Sequence, residues 1–316
     1  MFKWKKASLL VLSFVLALGL VACGNSNDKT SDSKNNTETT ERVLTDAIGN
    51  KVTIPSNPER IIASYSEDPL LALGVTPVAQ WSVANGIQDY LADYLKDVPT
   101  ISHDLPFEEV TSFSPDLVIV ESSSLVEGKY DQYAKIAPTY VLNGETTANW
   151  REELLKIGEI LGKTDKAKQV LADYDKKAAD AKEEIHAAIE DESAAVIWLV
   201  GNQFYIVSDN ASSGTVIYND LGIAEPNVVK EISETATSDW SSISLESLAE
   251  LDADHIFLVN SDKGTGSEML QETTWKNIPA VQKGNIYEFE ASSSWLYSGP
   301  IANSQIIDDV VESLTK

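Results

Sequence analysis

The segment from Thr164 to Asp191 leaves the chain few folds to choose from. Ala167, Val170, Leu171, Tyr174, Ala178, Ala181, Ile185, Ala188 and Ile189 recur in steps of three and four, which aligns them on one face of a helix. The other faces carry Lys, Asp and Glu, and Thr164 stands where an N-cap belongs. At about 1.5 Å per residue the helix would run roughly 37 Å, comparable to a whole domain. A coiled-coil segment is the alternative reading. The stripe is rich in alanine and poor in leucine, which suits a strut joining two bodies better.

Short apolar strands alternate with helices on both sides of the strut, a pattern of α/β layers. Before it, 43–46 and 51–54 flank Ile48-Gly49-Asn50 as a hairpin. Strands are expected at 60–64, 117–120 and 139–142, with helices at 68–73, 129–136 and from Asn149 to Leu161. Asn149 is the N-cap of the last of these, and Gly162 ends it. After the strut, strands fall at 194–200, 204–207, 255–259 and 285–289. Helices fall at 215–221 and 303–314.

The N-terminus has a different character. Lys3, Lys5 and Lys6 precede an apolar run from Ala7 to Val21, too short to span a bilayer comfortably and laid out as a secretory signal. Gly24 to Glu41 has no aromatic or branched aliphatic residue and cannot bury a core, so it is expected to be a flexible tether. The resulting division is a signal over 1–22, a tether over 23–42, a first lobe over 43–163, the strut over 164–190 and a second lobe over 191–316. Cys23 is the only cysteine, so an intrachain disulfide and a cysteine metal site are both excluded. Leu20-Val21-Ala22-Cys23 resembles the lipobox of bacterial lipoproteins. That resemblance implies lipidation of Cys23, with the body anchored on the outer face of a cell membrane, as in Gram-positive bacteria.

The formal net charge is −25. The signal contributes only basic charge, so the body is more acidic still. Such a surface repels nucleic acid phosphates. It suits solubility, or attraction to a basic partner. No Gly-x-Ser-x-Gly elbow, phosphate loop or His-Glu-x-x-His occurs. The three histidines, His103, His186 and His255, are scattered. An enzyme is therefore not expected. A lipoprotein that binds bare metal ions and a surface adhesin remain as alternatives from other classes.

Two stretches repeat across the strut. In 107–118 and in 245–256 a glutamate, Glu108 or Glu246, stands eight residues before an aspartate, Asp116 or Asp254. A short amphipathic helix and then a buried strand follow in each case. Two such lobes and one rigid helix imply a ligand cleft at their interface.

With these repeats in place, the chain resembles the ABC-importer binding proteins for iron–siderophores, haem and cobalamin. The resemblance is carried by Asn57-Pro58-Glu59-Arg60-Ile61-Ile62, Ala72-Leu73-Gly74-Val75-Thr76-Pro77-Val78, both Glu…Asp repeats, the strut, and the run from Ile278 to Tyr287. It implies an α/β fold of two Rossmann-like lobes joined by a single long rigid helix, with limited hinge motion. It implies a monomer that delivers an iron(III)–siderophore complex to an ABC permease. Glu108 and Glu246 would dock on permease arginines; read alone, each is equally a first-turn acid facing a helix dipole. No cofactor is implied beyond the N-terminal lipid.

Trp295-Leu296-Tyr297-Ser298-Gly299 resembles the W-x-Y-G of the ferric hydroxamate-binding branch. It implies ligand contacts for Tyr297 and Trp295, although Trp295 could also pack between strand and helix. Tyr205 and Trp240 fall where the branch places cleft aromatics, or else in the core. Tyr65, Glu67, Trp81 and Ser124 follow first-lobe strands, where open α/β sheets place ligands. Arginines of the branch are replaced by Ser102-His103 and Ala211-Ser212-Ser213, which leaves His103 as a polar anchor or a surface residue. A cleft without guanidinium groups disfavours anionic catecholate or carboxylate chelates. It suits a neutral or cationic trihydroxamate, whose charge tyrosine and tryptophan rings can face.

Overall fold

The computed structural model describes residues 41–84, 86–262 and 266–316. The signal, Cys23 and all but the end of the tether lie outside them. Arg42, the last position assigned to the tether, already belongs to a strand. There β1 (Arg42–Thr45) pairs antiparallel with β2 (Lys51–Ile54). The Asp46 carboxylate closes their turn by accepting the N–H groups of Ile48 and Asn50 at 3.1 and 2.7 Å.

The first lobe contains β3 (Ile61–Ser64), β4 (Gln80–Ser82), β5 (Thr100–Ser102), β6 (Leu117–Val120) and β7 (Thr139–Val141). Strands β3, β6 and β7 form a parallel sheet in the order β3-β6-β7, and β4 pairs parallel with β5. All four residues of β3 and of β6 are buried, as expected for parallel strands covered on both faces.

The second lobe is one five-stranded sheet of β8 (Ala194–Val200), β9 (Gln203–Val207), β10 (Trp240–Ser242), β11 (His255–Asn260) and β12 (Ile286–Glu290), in the order β10-β9-β8-β11-β12. Strands β8, β11 and β12 are parallel, and β9 runs antiparallel to both its neighbours. Gly201 and Asn202 turn β8 into β9 with φ near 60° at both positions, the conformation that two-residue hairpins favour.

The strut is an α-helix over Thr164–Ile189. Its buried residues are Ala167, Tyr174, Ala178, Ala181, Ile185 and Ile189. Two details depart from the sequence reading. Thr164 is the first helical residue rather than a side-chain cap, and Ala188 faces solvent. The strut is not free-standing. It packs along the helix Trp150–Ile160 and along the C-terminal helix Pro300–Thr315. Lys177 Nζ holds the latter through Ser304 O at 2.8 Å and Asp308 at 2.6 Å. One continuous apolar core runs from Ile61 through Leu154 and Ile185 to Val259 and Ile306. The small residues of the stripe let three helices approach closely over it.

Residues 215–220 are wound as a π-helix where an α-helix was expected. Just before it, Gly214 lies so close to β9 that a Cβ there would stand 1.9 Å from Ser208 O. No side chain fits that space. Gly214→Ala is expected to cost about 1–3 kcal/mol through forced backbone shift, read as a lower midpoint in urea unfolding with an unchanged slope.

Candidate functional site

A cleft of about 570 Å³ opens between the lobes. The first lobe lines it with Tyr65 and Glu121, from the carboxyl ends of β3 and β6, and with the start of the helix Trp150–Ile160. This is where ligands meet open parallel sheets. Asn149 begins that helix by accepting the N–H of Arg151 at 3.0 Å, so the cap also points Arg151 and Glu153 at the cleft. The second lobe supplies Asn210, Ser212 and Thr215 beyond β9, Asp239 before β10, and Leu296 to Ser298 beyond β12. Two lining residues are not glycine yet have positive φ, Tyr65 at 62° and Ser212 at 46°. Strain of that kind gathers at functional sites.

Tyr297 is held from both sides. Its ring lies 4.7 Å from that of Tyr90, and the Tyr90 hydroxyl donates to Asp68 Oδ2 at 3.0 Å. Asp68 also accepts the N–H groups of Ile301 and Ala302, each at 2.9 Å. It thereby satisfies the open N-terminus of the C-terminal helix.

Residues 62–292 match the model of the periplasmic binding protein family. The chain is 30% identical to the iron(3+)-hydroxamate-binding protein YxeB of Bacillus subtilis over 322 residues, covering 99% of this chain and 98% of that one. The chain belongs to the periplasmic binding protein family. Its fold is similar to that of a periplasmic binding protein component of a ferrichrome ABC transporter from Bacillus subtilis, with TM-score 0.74, 27% identity and coverage of 86% of this chain and 100% of that one. It is likewise similar to Staphylococcus aureus SirA complexed with staphyloferrin B, with TM-score 0.70, 28% identity and coverage of 86% and 98%. Members of this family bind solutes for ABC transporters and are not enzymes.

Of the residues singled out in the sequence, Tyr65 and Tyr297 line the cleft. Trp81 stands behind Tyr65, its ring edge-on at 4.9 Å. Trp295 departs from the expected ligand contact. It is fully buried, stacked between Phe257 at 4.9 Å and Phe289 at 4.7 Å, with Nε1 donating to Asp309 at 2.9 Å. Tyr205 and Trp240 pack around Trp198, at 5.6 and 5.7 Å, outside the lining, although Trp240 directly follows the lining residue Asp239. His103 is exposed, with its backbone N–H on Ser82 O, and does not line the cleft. Ser124 is exposed in a separate shallow depression with Ile48 and Tyr130. Glu108 and Glu246 are both exposed in the first turns of their short helices, Phe107–Ser112 and Leu245–Ala249.

The expectation of a cleft without arginine is corrected by Arg151, which lines it. It is not free, however. It bonds Asp175 at 2.5 Å and Asp220 at 3.0 Å, and its guanidinium lies over the Trp150 and Tyr174 rings at 4.5 and 5.0 Å. Gln88, Glu121, Glu153 and Asp239 were also missed. Glu121 directly follows β6 and could have been found by the strand-end rule.

Carboxylates dominate the first-lobe wall. Glu67 is fully buried beside Tyr65, with Oε1 accepting the Trp81 N–H at 2.7 Å. Glu153 accepts the Ser66 hydroxyl at 2.6 Å. Burial pushes Glu67 up to about 8, Glu153 to about 7 and Asp68 to about 6, and it also raises Glu121. The charges of Glu121 and Glu153 add to the rise at Glu67. Folding therefore takes up protons between the ordinary carboxyl range and about pH 8. The stability from these groups is complete below about pH 4 and is lost as pH rises through 6 to 8. Glu67→Gln keeps the acceptor for Trp81 and removes the charge. Its melting temperature is expected to exceed the parent's at pH 8.5 and to differ less at pH 5.5. Each 1 kcal/mol recovered should add about 2–4 °C in a thermal melt.

Proposed function

We propose that this chain captures a ferric siderophore of hydroxamate type outside the cytoplasm and hands it to an ABC permease. The observation that carries the reading is the interlobe cleft, with Tyr65 and Tyr297 entering it from opposite lobes. A trihydroxamate wraps iron in a compact, uncharged shell. Two rings with hydroxyls can pack on that shell and donate to its oxygens. Among the described residues no group of three or more His, Cys, Asp or Glu could hold a metal ion, so iron would be met as a chelate. The names of relatives support the class, as iron(3+)-hydroxamate and ferrichrome appear among them. Iron is cargo in this reading, and the protein performs no covalent chemistry on it.

A carboxylate chelate is the second reading, favoured by Arg151 in the lining and by the likeness to SirA with staphyloferrin B. Such a ligand would have to draw Arg151 from two aspartates while facing Glu121, Glu153 and Asp239. The acidic wall favours the hydroxamate.

Cys23 carries the lipid that keeps the body at the outer face of the membrane, and the protein acts as a monomer. Glu108 and Glu246 dock the loaded protein on the permease, one from each lobe. Both are exposed acids at helix starts with the same local sequence pattern.

Tryptophan fluorescence titration of the body is expected to saturate with a ferric trihydroxamate and not with a ferric citrate-type chelate; the reverse would establish the second reading. Tyr297→Ala should weaken the trihydroxamate about tenfold or more, the loss typical of an anchoring aromatic. The double variant Glu108→Ala, Glu246→Ala should abolish uptake of labelled iron by cells while leaving affinity in the titration intact. Lost affinity would place the glutamates in the pocket or the fold instead.

A further inference from the structure

The cleft has a marked asymmetry of charge and of hydrogen-bonding capacity. Its charged lining residues are Glu121, Glu153, Asp239 and Arg151, and Arg151 is already bonded to two aspartates. Glu67 lies directly behind Tyr65, close enough to Glu121 and Glu153 to respond to their charge. An acidic wall alone could be nothing more than neutralised carboxyls. Two further observations point to a ligand.

Gln88 lines the cleft at 5% exposure, and its Oε1 has no partner. A buried acceptor without a donor opposes folding, so this atom calls for a donor from the ligand, and the carboxylates of the same lining favour a donor that brings positive charge. Tyr65 adds an aromatic ring, held edge-on to Trp81 on a backbone with φ of 62°. The residue is 40% exposed and lines the cleft, where its ring can face a cation. Three features thus meet in the lining of the cleft: carboxylates, an unused acceptor and an aromatic ring.

Resting on the siderophore reading above, we infer that Tyr65, Gln88, Glu121 and Glu153 form a subsite for a primary ammonium group carried by the ferric chelate. An ammonium presents three N–H donors from one compact charge, which matches several acceptors around a point. A bare metal ion does not match, since these residues are not arranged to hold one. The ligand class is therefore a cationic trihydroxamate with an amine arm, discriminated from its neutral counterparts by the first-lobe wall.

The test compares ferrioxamine B, which carries a primary ammonium, with its N-acetyl derivative, which keeps the same iron shell without the charge. Isothermal titration calorimetry at pH 7.5 on the parent protein is expected to give at least about a tenfold preference for the ammonium form. Glu121→Gln and Glu153→Gln, each checked for folding by circular dichroism, should shrink that ratio toward one. Should either variant fail to fold, the other carries the comparison. Equal affinity of the parent for both compounds would overturn the subsite and leave the hydroxamate reading standing. A preference that survives in the variants would place its origin elsewhere and also overturn the subsite. Binding of neither compound would overturn the subsite and the hydroxamate reading together.

Discussion

The bond set of Asp68 fixes the geometry on which the cleft depends. Asp68 belongs to the first lobe, in the helix Glu67–Ala72, yet its carboxylate accepts the N–H groups of Ile301 and Ala302 at the start of the C-terminal helix. A buried carboxylate is costly by itself. Here it meets the open N–H groups and the positive end of a helix dipole, and each side answers the other's unmet need. Burial still holds the carboxyl up at about 6. Gly299 admits the contact, because a Cβ there would stand 2.6 Å from the Asp68 carboxylate. Tyr297, two residues earlier, is placed by the same joint, its ring against the Tyr90 that also donates to Asp68. A single carboxylate thus sets a helix start, a cross-lobe tie and the position of a cleft tyrosine.

Arg151 makes a second tie on the cleft border. It joins the helix Trp150–Ile160, the strut through Asp175 and the second lobe through Asp220, while Tyr174 of the strut donates to the same Asp220 at 2.6 Å. With these two ties and one apolar core continuous through the strut, the lobes are joined at more than a single hinge. Large closure would have to break buried polar contacts, so the geometry favours small shifts on ligand entry. The arrangement also decides what Arg151 can do. Its charge is spent on structure, and the net field of the cleft remains negative.

The parts of the fold that were legible in sequence are those whose signal lies within one element. The strut shows its period along a single helix, β8 and β9 show their turn at Gly201-Asn202, and Asn149 shows its cap. The π-helix over 215–220 was not legible, because its apolar residues occur in the order an α-helix would also accept. In the cleft lining, Tyr297 was legible through its motif, whereas for Trp295, two residues away, the motif left ligand contact and packing both open. Which of the two lines the cleft depends on Phe257 and Phe289, which reach Trp295 from different strands. The acidic wall was the least legible. Its members come from separate loops and helices, and only tertiary packing makes them one surface.

Several features that oppose folding fall at the cleft. Positive φ at Tyr65 and Ser212, raised carboxyls at Glu67 and Glu153, and unpartnered acceptors on Glu67 and Gln88 all fall on or directly behind its walls. Each opposes folding, and a chain free to optimise stability alone would place glutamine or leucine at several of these positions. Several charges elsewhere are answered: Lys177 meets Asp308, Asp254 meets Ser193 and Lys283, and Trp295 meets Asp309. Those in the cleft lining are understandable if a cargo supplies the missing partners. A wall of unmet acceptors and negative charge then acts as a selector, since only a ligand bearing donors and positive charge relieves it on binding.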